Sequence, residues 1–157
     1  MLIFYALLGV AIVASILWFT GPFQRLSLKQ RKKGRMLRII NHHRKKKGLG
    51  SLKAYYFLDR VATEHSRYMA KHRVCNHAGI NYRRNKIEKR MWTGYMGENC
   101  HMFPAFDYNR RTAEKLVTGW LKSPGHRANL LNARYKRIGI GIVAKRGYVY
   151  ATQIFTD

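Results

Sequence analysis

The sequence predicts an α+β domain in which helices cover an antiparallel sheet. Apolar residues recur every three or four positions over residues 55–73 and 109–121, which is the spacing of amphipathic helices. Residues 138–143 alternate with a period of two, and residues 148–155 are rich in aromatic and β-branched side chains. Gly147 lies between these two stretches, so the pattern predicts a terminal β-hairpin.

The remaining elements are less regular. Residues 36–47 have helical composition, and Gly48 is placed to end that helix. Residues 74–110 are rich in Gly, Asn and aromatic residues without sustained periodicity, which predicts loops and short strands. Ser123-Pro124-Gly125 should end the helix predicted at 109–121. Only a short helical turn is then expected at 128–131.

The composition is that of a folded protein with an uneven charge distribution. Of 157 residues, 46% are hydrophobic and 13% aromatic, which excludes a disordered polybasic tail. The net charge is +24, but residues 1–24 carry no charged side chain, and residues 25–47 are basic without any acid. We therefore predict an apolar segment at 1–24, a basic collar at 25–35 and one domain at 36–157.

The apolar segment at 1–24 is predicted to be a transmembrane anchor. Residues 2–20 are uncharged, and a helix of about 20 residues matches a hydrocarbon core of roughly 30 Å. A cleaved signal peptide is the alternative, but the segment lacks a basic n-region and exceeds the usual h-region length. We expect an uncleaved, single-pass anchor.

The basic collar bears on orientation and on partners. We expect the domain to be extracytoplasmic, although the positive-inside rule favours the opposite orientation for a collar that follows the helix. The collar can stop transfer, lie on anionic lipid headgroups, or do both. Nucleic acid is an unlikely partner, because no nucleic-acid motif accompanies the charge and a membrane segment precedes it. The sequence predicts no oligomeric state.

Three polar side chains in loop-like stretches are candidates for chemistry. They are His77 in Cys-Asn-His-Ala-Gly, Glu98 in Gly-Glu-Asn-Cys and His126 in Ser-Pro-Gly-His-Arg. Two imidazoles and a carboxylate can supply three ligands to a divalent cation and leave one position open, as in zinc enzymes. Their separations along the chain are too long for a local metal motif.

The order of short motifs resembles the CAP superfamily of cysteine-rich secretory, antigen 5 and pathogenesis-related proteins, and most closely its compact prokaryotic-type members. The resemblance covers residues 36–157. Its strongest part is Ser-Pro-Gly-His-Arg-x-Asn-Leu-Leu. The other parts are the His77 stretch, Gly97-Glu98-Asn99, Ile138-Gly-Ile-Gly141 and Thr152-Gln153 before Phe155.

This resemblance implies an α-β-α sandwich with a central cleft. In the family, the cleft holds two histidines and two glutamates, and divalent cations bind through the histidines. His77 and His126 match the histidine positions, and Glu98 matches the glutamate of Gly-Glu-Asn. Ser123 stands where the second glutamate is expected. The implied cation is most simply zinc, bound by His77, His126 and Glu98 with less negative charge than the full site has.

The two cysteines flank these motifs. Cys75 is two residues before His77, and Cys100 is two residues after Glu98. If both motifs line one cleft, the two sulfurs can form a disulfide. They can instead remain buried free thiols, or join His77 and His101 in a zinc site.

Two functions follow from these features. The first is a membrane-anchored binding module whose cleft or basic surface engages lipid, a cell-envelope polymer or another protein. The alternative is a metal-assisted, peptidase-like hydrolase in which Glu98 deprotonates a metal-bound water, or in which Ser66 is the nucleophile. We otherwise expect Ser66 and His65 to serve helix packing.

Structural roles are expected for other conspicuous residues. Trp92 and Trp120 are expected in the core. Gly139 and Gly141 are expected to permit close packing against the partner strand of the hairpin.

Overall fold

The computed structural model describes residues 27–105 and 111–157. The predicted transmembrane segment at 1–24 lies outside these residues. In the part of the chain that the structure describes, no helix combines the length and apolar character needed to cross a membrane. The elements in chain order are α1 (Leu28–Lys45), β1 (Lys53–Ala54), α2 (Tyr56–His72), α3 (Ile80–Glu88), β2 (Met96–Pro104), α4 (Thr112–Lys122), α5 (Pro124–Leu130), β3 (Arg137–Lys145) and β4 (Tyr148–Thr156).

The four strands form one sheet in the order β1-β3-β4-β2. The β3–β4 and β4–β2 pairs are antiparallel, and the two-residue strand β1 pairs with β3 in parallel. The predicted hairpin is confirmed. Its turn has positive φ at Arg146 (51°) and Gly147 (78°), as expected of the tight turns whose twist suits a hairpin.

Helices cover both faces of the sheet. One core contains Leu58, Val61 and Ala62 of α2 with Ile87 of α3, packed on Ile154 of β4. The other core, on the opposite face, joins α1 and α4 to β3 and β4 around the fully buried Trp120. The chain is therefore a three-layer sandwich of helices and sheet, as the resemblance implied.

Helix α1 begins eight residues before the predicted start at Met36. A capping box explains the earlier start: the Ser27 hydroxyl accepts a hydrogen bond from the Gln30 N–H (3.3 Å), and Gln30 Oε1 accepts one from the Ser27 N–H (2.9 Å). Residues 28–35 of the basic collar are therefore helical and continuous with the helix that carries the buried Met36 and Ile40.

The expectation of loops and short strands over residues 74–110 was wrong in part, because α3 and the nine-residue strand β2 lie there. Strand β2 is buried at four consecutive positions, 97–100, so its side chains are covered on both faces and show no alternation of polarity. Helix α3 buries only Arg83 and Ile87, which is too small an apolar face to be recognised as helical periodicity.

The two tryptophans that were expected in the core, Trp92 and Trp120, differ in their surroundings. Trp120 is 0% exposed, which confirms its predicted place in the core. Trp92 is 86% exposed, so the prediction that it is a core residue was wrong. It lies between α3 and β2, where Met91 and Met96 on either side pack on the core and its own ring turns outward.

The glycines of β3 allow a helix to approach, rather than the neighbouring strand as predicted. A Cβ atom on Gly139 would lie 2.1 Å from the backbone carbon of Leu58, and one on Gly141 would lie 2.3 Å from that of Ala62. Helix α2 therefore rests with its backbone directly on the β3 backbone, which explains why only glycine fits at these positions.

Arg44 is a buried cation that connects three parts of the chain. Its guanidinium donates hydrogen bonds to the carbonyl oxygens of Gly50, Leu130, Asn132 and Tyr135, at 2.7 to 3.2 Å, and the residue is 1% exposed. Burial lowers the pKa of Arg44. The four carbonyl dipoles thus offset most of the free-energy cost of burying this charge.

We expect Arg44→Met to lower the free energy of unfolding by about 2–3 kcal/mol, because buried carbonyls lose charged donors. Thermal unfolding of the full chain in detergent micelles, followed by circular dichroism, measures the change. Arg38→Met, at an exposed position of the same helix, is the matched control and should stay within about 0.5 kcal/mol of wild type. Equal stability of the two variants would contradict the role given to Arg44.

Candidate cation-binding site

Glu98 lies at the centre of the site, on the edge strand β2. Its side chain is 0% exposed, and a buried carboxylate requires a partner of opposite charge. That partner is Arg83, whose Nε donates to Oε2 at 2.6 Å and whose Nη2 donates to Oε1 at 2.7 Å. The guanidinium therefore takes both carboxylate oxygens in a two-pronged ion pair.

Arg83 also fixes the loop that carries His77. Its Nη1 donates to the Ala78 carbonyl (2.7 Å) and its Nη2 to the His77 carbonyl (3.3 Å). Arg83 was not among the predicted site residues, because Tyr82-Arg83-Arg84 reads as part of an exposed basic surface. No local pattern singles Arg83 out from the neighbouring bases, because α3 has too small an apolar face to be recognised as a helix from the sequence.

His77 stands beside Glu98 with one nitrogen open to solvent. Its Nδ1 is 2.8 Å from Glu98 Oε1, and since the carboxylate can only accept, Nδ1 carries the proton. The lone pair is then on Nε2, and the side chain is 49% exposed. A carboxylate that holds one imidazole nitrogen so that the other can bind a metal is the usual outer-shell arrangement at protein metal sites.

His126 and His101 continue this group of imidazoles. His126 lies on α5, which starts at Pro124, and His101 lies on β2. Burial lowers the pKa of His126, and the proximity of His77 lowers it further. Burial and then the proximity of His126 lower the pKa of His101. Both rings are therefore neutral, as a metal ligand must be. His77, His101 and His126 together are called the imidazole group below.

Helix α5 is held against the open edge of β2 by side-chain amides. The Asn129 amide donates to the Glu98 carbonyl (3.2 Å) and to Asn99 Oδ1 (2.9 Å), while the Asn99 amide donates to the His126 carbonyl (3.1 Å). Trp120 Nε1 donates to the carbonyl of Cys100 at 3.5 Å. These bonds hold the α5 backbone at His126 against the edge of β2, and the charge of His77 contributes to the lowered pKa of His126.

A second group of potential ligands lies behind Glu98. Ligand atoms of His65, Glu98 and Cys100 all lie within 4.8 Å of one another, and all three residues are buried. The donors are engaged, however. His65 Nε2 is 2.8 Å from the Asn76 carbonyl and must donate to it. Burial, together with the Glu98 carboxylate, raises the pKa of the Cys100 thiol, which donates to Glu98 Oε1.

The cysteines and Ser66 can be placed as well. Both cysteines are free thiols, Cys75 exposed and Cys100 buried. The structure therefore contains no disulfide between them, and the alternative of two buried thiols does not fit Cys75. Ser66 is 0% exposed, and its hydroxyl donates to Thr152 Oγ1 at 2.9 Å, which is the packing role expected for it.

The donor chemistry decides which of these groups fits a divalent cation. At Glu98, a cation would meet the Arg83 guanidinium bound to the same carboxylate, and His65 would have to release a backbone carbonyl. In the imidazole group, the rings of His101 and His126 are neutral, and His77 Nε2 has no hydrogen-bond partner within residues 27–105 and 111–157. Zinc accepts nitrogen ligands of this kind, so the donor types of the imidazole group suit a cation better than the engaged donors of the buried group.

A sheet between two helical layers, with His77 paired to the glutamate of a Gly-Glu-Asn motif on the edge strand, is the arrangement expected of a cysteine-rich secretory protein domain. The chain belongs to this family: the model of the CAP, or cysteine-rich secretory protein, family matches residues 37–155. The bacterial relatives below agree with the resemblance to prokaryotic-type members.

The relatives include membrane and surface proteins. The uncharacterized membrane protein YlbC of Bacillus subtilis is 32% identical over 125 residues, which are 76% of this chain and 33% of the relative. The match to an outer surface protein of Borrelia burgdorferi covers 82% of this chain and 93% of that protein, with a TM-score of 0.69 and 20% identity. The structure of NaASP2 with Zn²⁺ has a TM-score of 0.63 and 14% identity, and the match covers 85% and 82% of the two chains.

The chain spans less than half the length of the curated relatives that it matches, 33% of YlbC and 45% of the uncharacterized protein YkwD of Bacillus subtilis.

Proposed function

We propose that the protein is a membrane-anchored binding module whose imidazole group holds a divalent cation, most simply zinc. The observation that carries this proposal is the contact of His77 Nδ1 with the buried Glu98 carboxylate, which leaves Nε2 without a hydrogen-bond partner among the described residues, on a side chain that is 49% exposed. His77 and His126 would hold the cation, and the charge of His126 lowers the pKa of the neighbouring His101. When bound, zinc supplies Lewis-acid character and a fixed positive charge to recognise an anionic group.

The same geometry favours binding over hydrolysis. A general base must reach the proton that it removes, but Glu98 is fully buried and both of its oxygens are bound by Arg83. Its task in this proposal is to orient His77. The alternative hydrolase therefore has no accessible carboxylate among the residues that the family resemblance assigned to the cleft.

The membrane anchor and the choice of partner are supported by charge. The apolar segment at 1–24 and the basic collar precede a domain with 20 basic and 7 acidic residues over positions 48–157. One relative is named a membrane protein and a structural neighbour an outer surface protein. We place the domain at the cell envelope, outside the cytoplasm, where anionic lipid or an anionic envelope polymer would be attracted to it.

We expect His77→Gln and His126→Gln each to weaken zinc binding by about tenfold or more, because each removes one imidazole ligand. Isothermal titration of the full chain in nanodiscs measures the affinity. His72→Gln, at an exposed position at the end of α2, is the matched control and should bind zinc as wild type does.

The pH dependence gives a second readout. Since the pKa of His126 is lowered, it stays neutral below the pH at which an ordinary histidine takes up a proton. The contribution of His126 to zinc binding should accordingly persist below that pH and be lost on further acidification. Undiminished zinc binding by both variants would contradict the site.

A further inference from the structure

A basic groove lies between the start of α1 and the outer face of α2. It encloses about 340 Å³ and is separate from the imidazole group. Lys29 and Lys33 contribute from α1, and Arg60 and Arg67 contribute from α2, with Tyr56 at one end. Thr63, Asp59 and Glu64 complete the lining. We call these residues the α1–α2 groove.

The two carboxylates of the groove are already engaged by other partners. Asp59 Oδ2 pairs with Lys33 at 2.8 Å, and its Oδ1 accepts the Ile140 N–H at 2.6 Å. Glu64 pairs with Lys86 of α3 at 2.6 Å. Within residues 27–105 and 111–157, Lys29, Arg60 and Arg67 have no carboxylate partner. The groove therefore presents three unmatched cations.

These cations are held closer together than their charges favour. Burial lowers the pKa of Lys29, and the nearby charges of Lys33 and Arg67 lower it further. In the folded protein these cations therefore repel one another, and an anion bound in the groove would reduce that repulsion. Guanidinium groups bind phosphate through two parallel N–H bonds, and the lysine ammonium adds a point charge, so the donor set suits a phosphate group.

The groove lies near the predicted membrane segment in the chain, which indicates where the phosphate would be found. Lys29 is five residues beyond position 24, which is a reach of at most about 18 Å from the end of the apolar segment. Leu28 is 73% exposed and Tyr56 is 78% exposed, and both belong to residue types that lie readily at a membrane surface. An anchored chain would thus hold the groove at the level of the lipid headgroups.

We infer that the α1–α2 groove binds the phosphate of an anionic phospholipid headgroup in the anchoring membrane, using Arg60, Arg67 and Lys29. This inference rests on the proposed anchor at residues 1–24. Such a contact would fix the orientation of the domain on the bilayer, in addition to the diffuse attraction of the collar. The imidazole group is not needed for it.

The test uses the full chain in nanodiscs of phosphatidylcholine that contain about one tenth phosphatidylglycerol, at physiological salt. Phosphatidylglycerol that stays with the protein after detergent extraction is counted by native mass spectrometry. For the double variant Arg60→Gln/Arg67→Gln we expect about tenfold less retained lipid, because two phosphate contacts are lost. Both residues are exposed, so the fold should persist.

The matched control removes the same charge from the other end of α1. Lys46→Gln/Lys47→Gln should retain phosphatidylglycerol within about twofold of wild type, since these exposed residues lie outside the groove. An equal loss in both double variants would show diffuse attraction and overturn the site. Unchanged retention by the Arg60/Arg67 variant would overturn it as well.

Two further arms separate the possible sources of the phosphate and the two proposals. If inorganic phosphate binds the groove while phosphatidylglycerol is not retained, the ligand is a soluble anion and the lipid assignment fails. Carbonate extraction of membranes reads the anchor alone, because it releases proteins held only by charge. Release by carbonate would overturn the anchor, whereas failure of a carbonate-resistant wild-type protein to retain phosphatidylglycerol would overturn only the groove.

Discussion

Replacing Arg83 by methionine should lower the free energy of unfolding by about 3–5 kcal/mol, because it leaves the fully buried Glu98 carboxylate without its counter-charge. Hydrogen bonds from Arg83 to the carbonyls of His77 and Ala78 are lost with it. We also expect weaker zinc binding, since the His77 loop is no longer fixed. Thermal unfolding and zinc titration of the full chain measure the two effects.

A double-variant cycle separates the ion pair from the loss of packing. Glu98→Gln added to Arg83→Met removes the unpaired charge, so the double variant should be more stable than the sum of the single effects predicts, by about 2 kcal/mol. Arg84→Met is the matched control, because Arg84 is only half-buried and its ion pair with Glu88 is 3.8 Å long. It should change stability by less than about 1 kcal/mol. Strict additivity in the cycle would contradict the coupling of Arg83 to Glu98.

Gly139→Ala should cost about 3 kcal/mol or more, beyond the ordinary penalty for overpacking a core. The added methyl would lie 2.1 Å from the Leu58 backbone carbon and 2.4 Å from its carbonyl oxygen, and a helix backbone cannot turn aside as a side chain can. Helix α2 must then move as a unit away from the sheet. Chemical denaturation of the full chain in micelles measures the loss.

Gly34→Ala supplies the control for this substitution. Gly34 is in the middle of α1, and an added Cβ would meet nothing within 4 Å. Since alanine is the better helix former, this variant should gain up to about 1 kcal/mol. If Gly139→Ala were as stable as Gly34→Ala, the direct backbone contact between α2 and β3 would be contradicted.

The parts of the fold that the sequence predicted are those with a strong periodic pattern. Helix α2 buries one regular set of apolar residues, and β3 and β4 are rich in β-branched and aromatic residues on either side of the Gly147 turn, so local spacing and composition suffice. Strand β2 is covered from both sides, and α3 is held largely by a salt bridge. Their patterns depend on contacts distant in sequence, which local spacing cannot reveal.

Motif order indicates His77, Glu98 and His126 as candidate site residues but not how they pair. The structure brings His77 into contact with Glu98, and the charge of His77 contributes to the lowered pKa of His126. Motif order does not indicate that Glu98 is neutralised by Arg83, because the sequence is rich in arginine and most arginines are solvated. Ser123 stands where the resemblance implies a second acidic residue. The acid that remains, Glu98, pairs with Arg83.

The contacts along β2 bear on how many copies of this domain can share one surface. An uncovered edge strand offers free carbonyls and N–H groups, onto which a second chain can add its own strand. Here the carbonyls of Glu98 and Cys100 accept bonds from Asn129 and Trp120, so the middle of the edge is occupied from within. Neighbouring copies of the domain on one membrane could therefore not pair their sheets through the middle of β2.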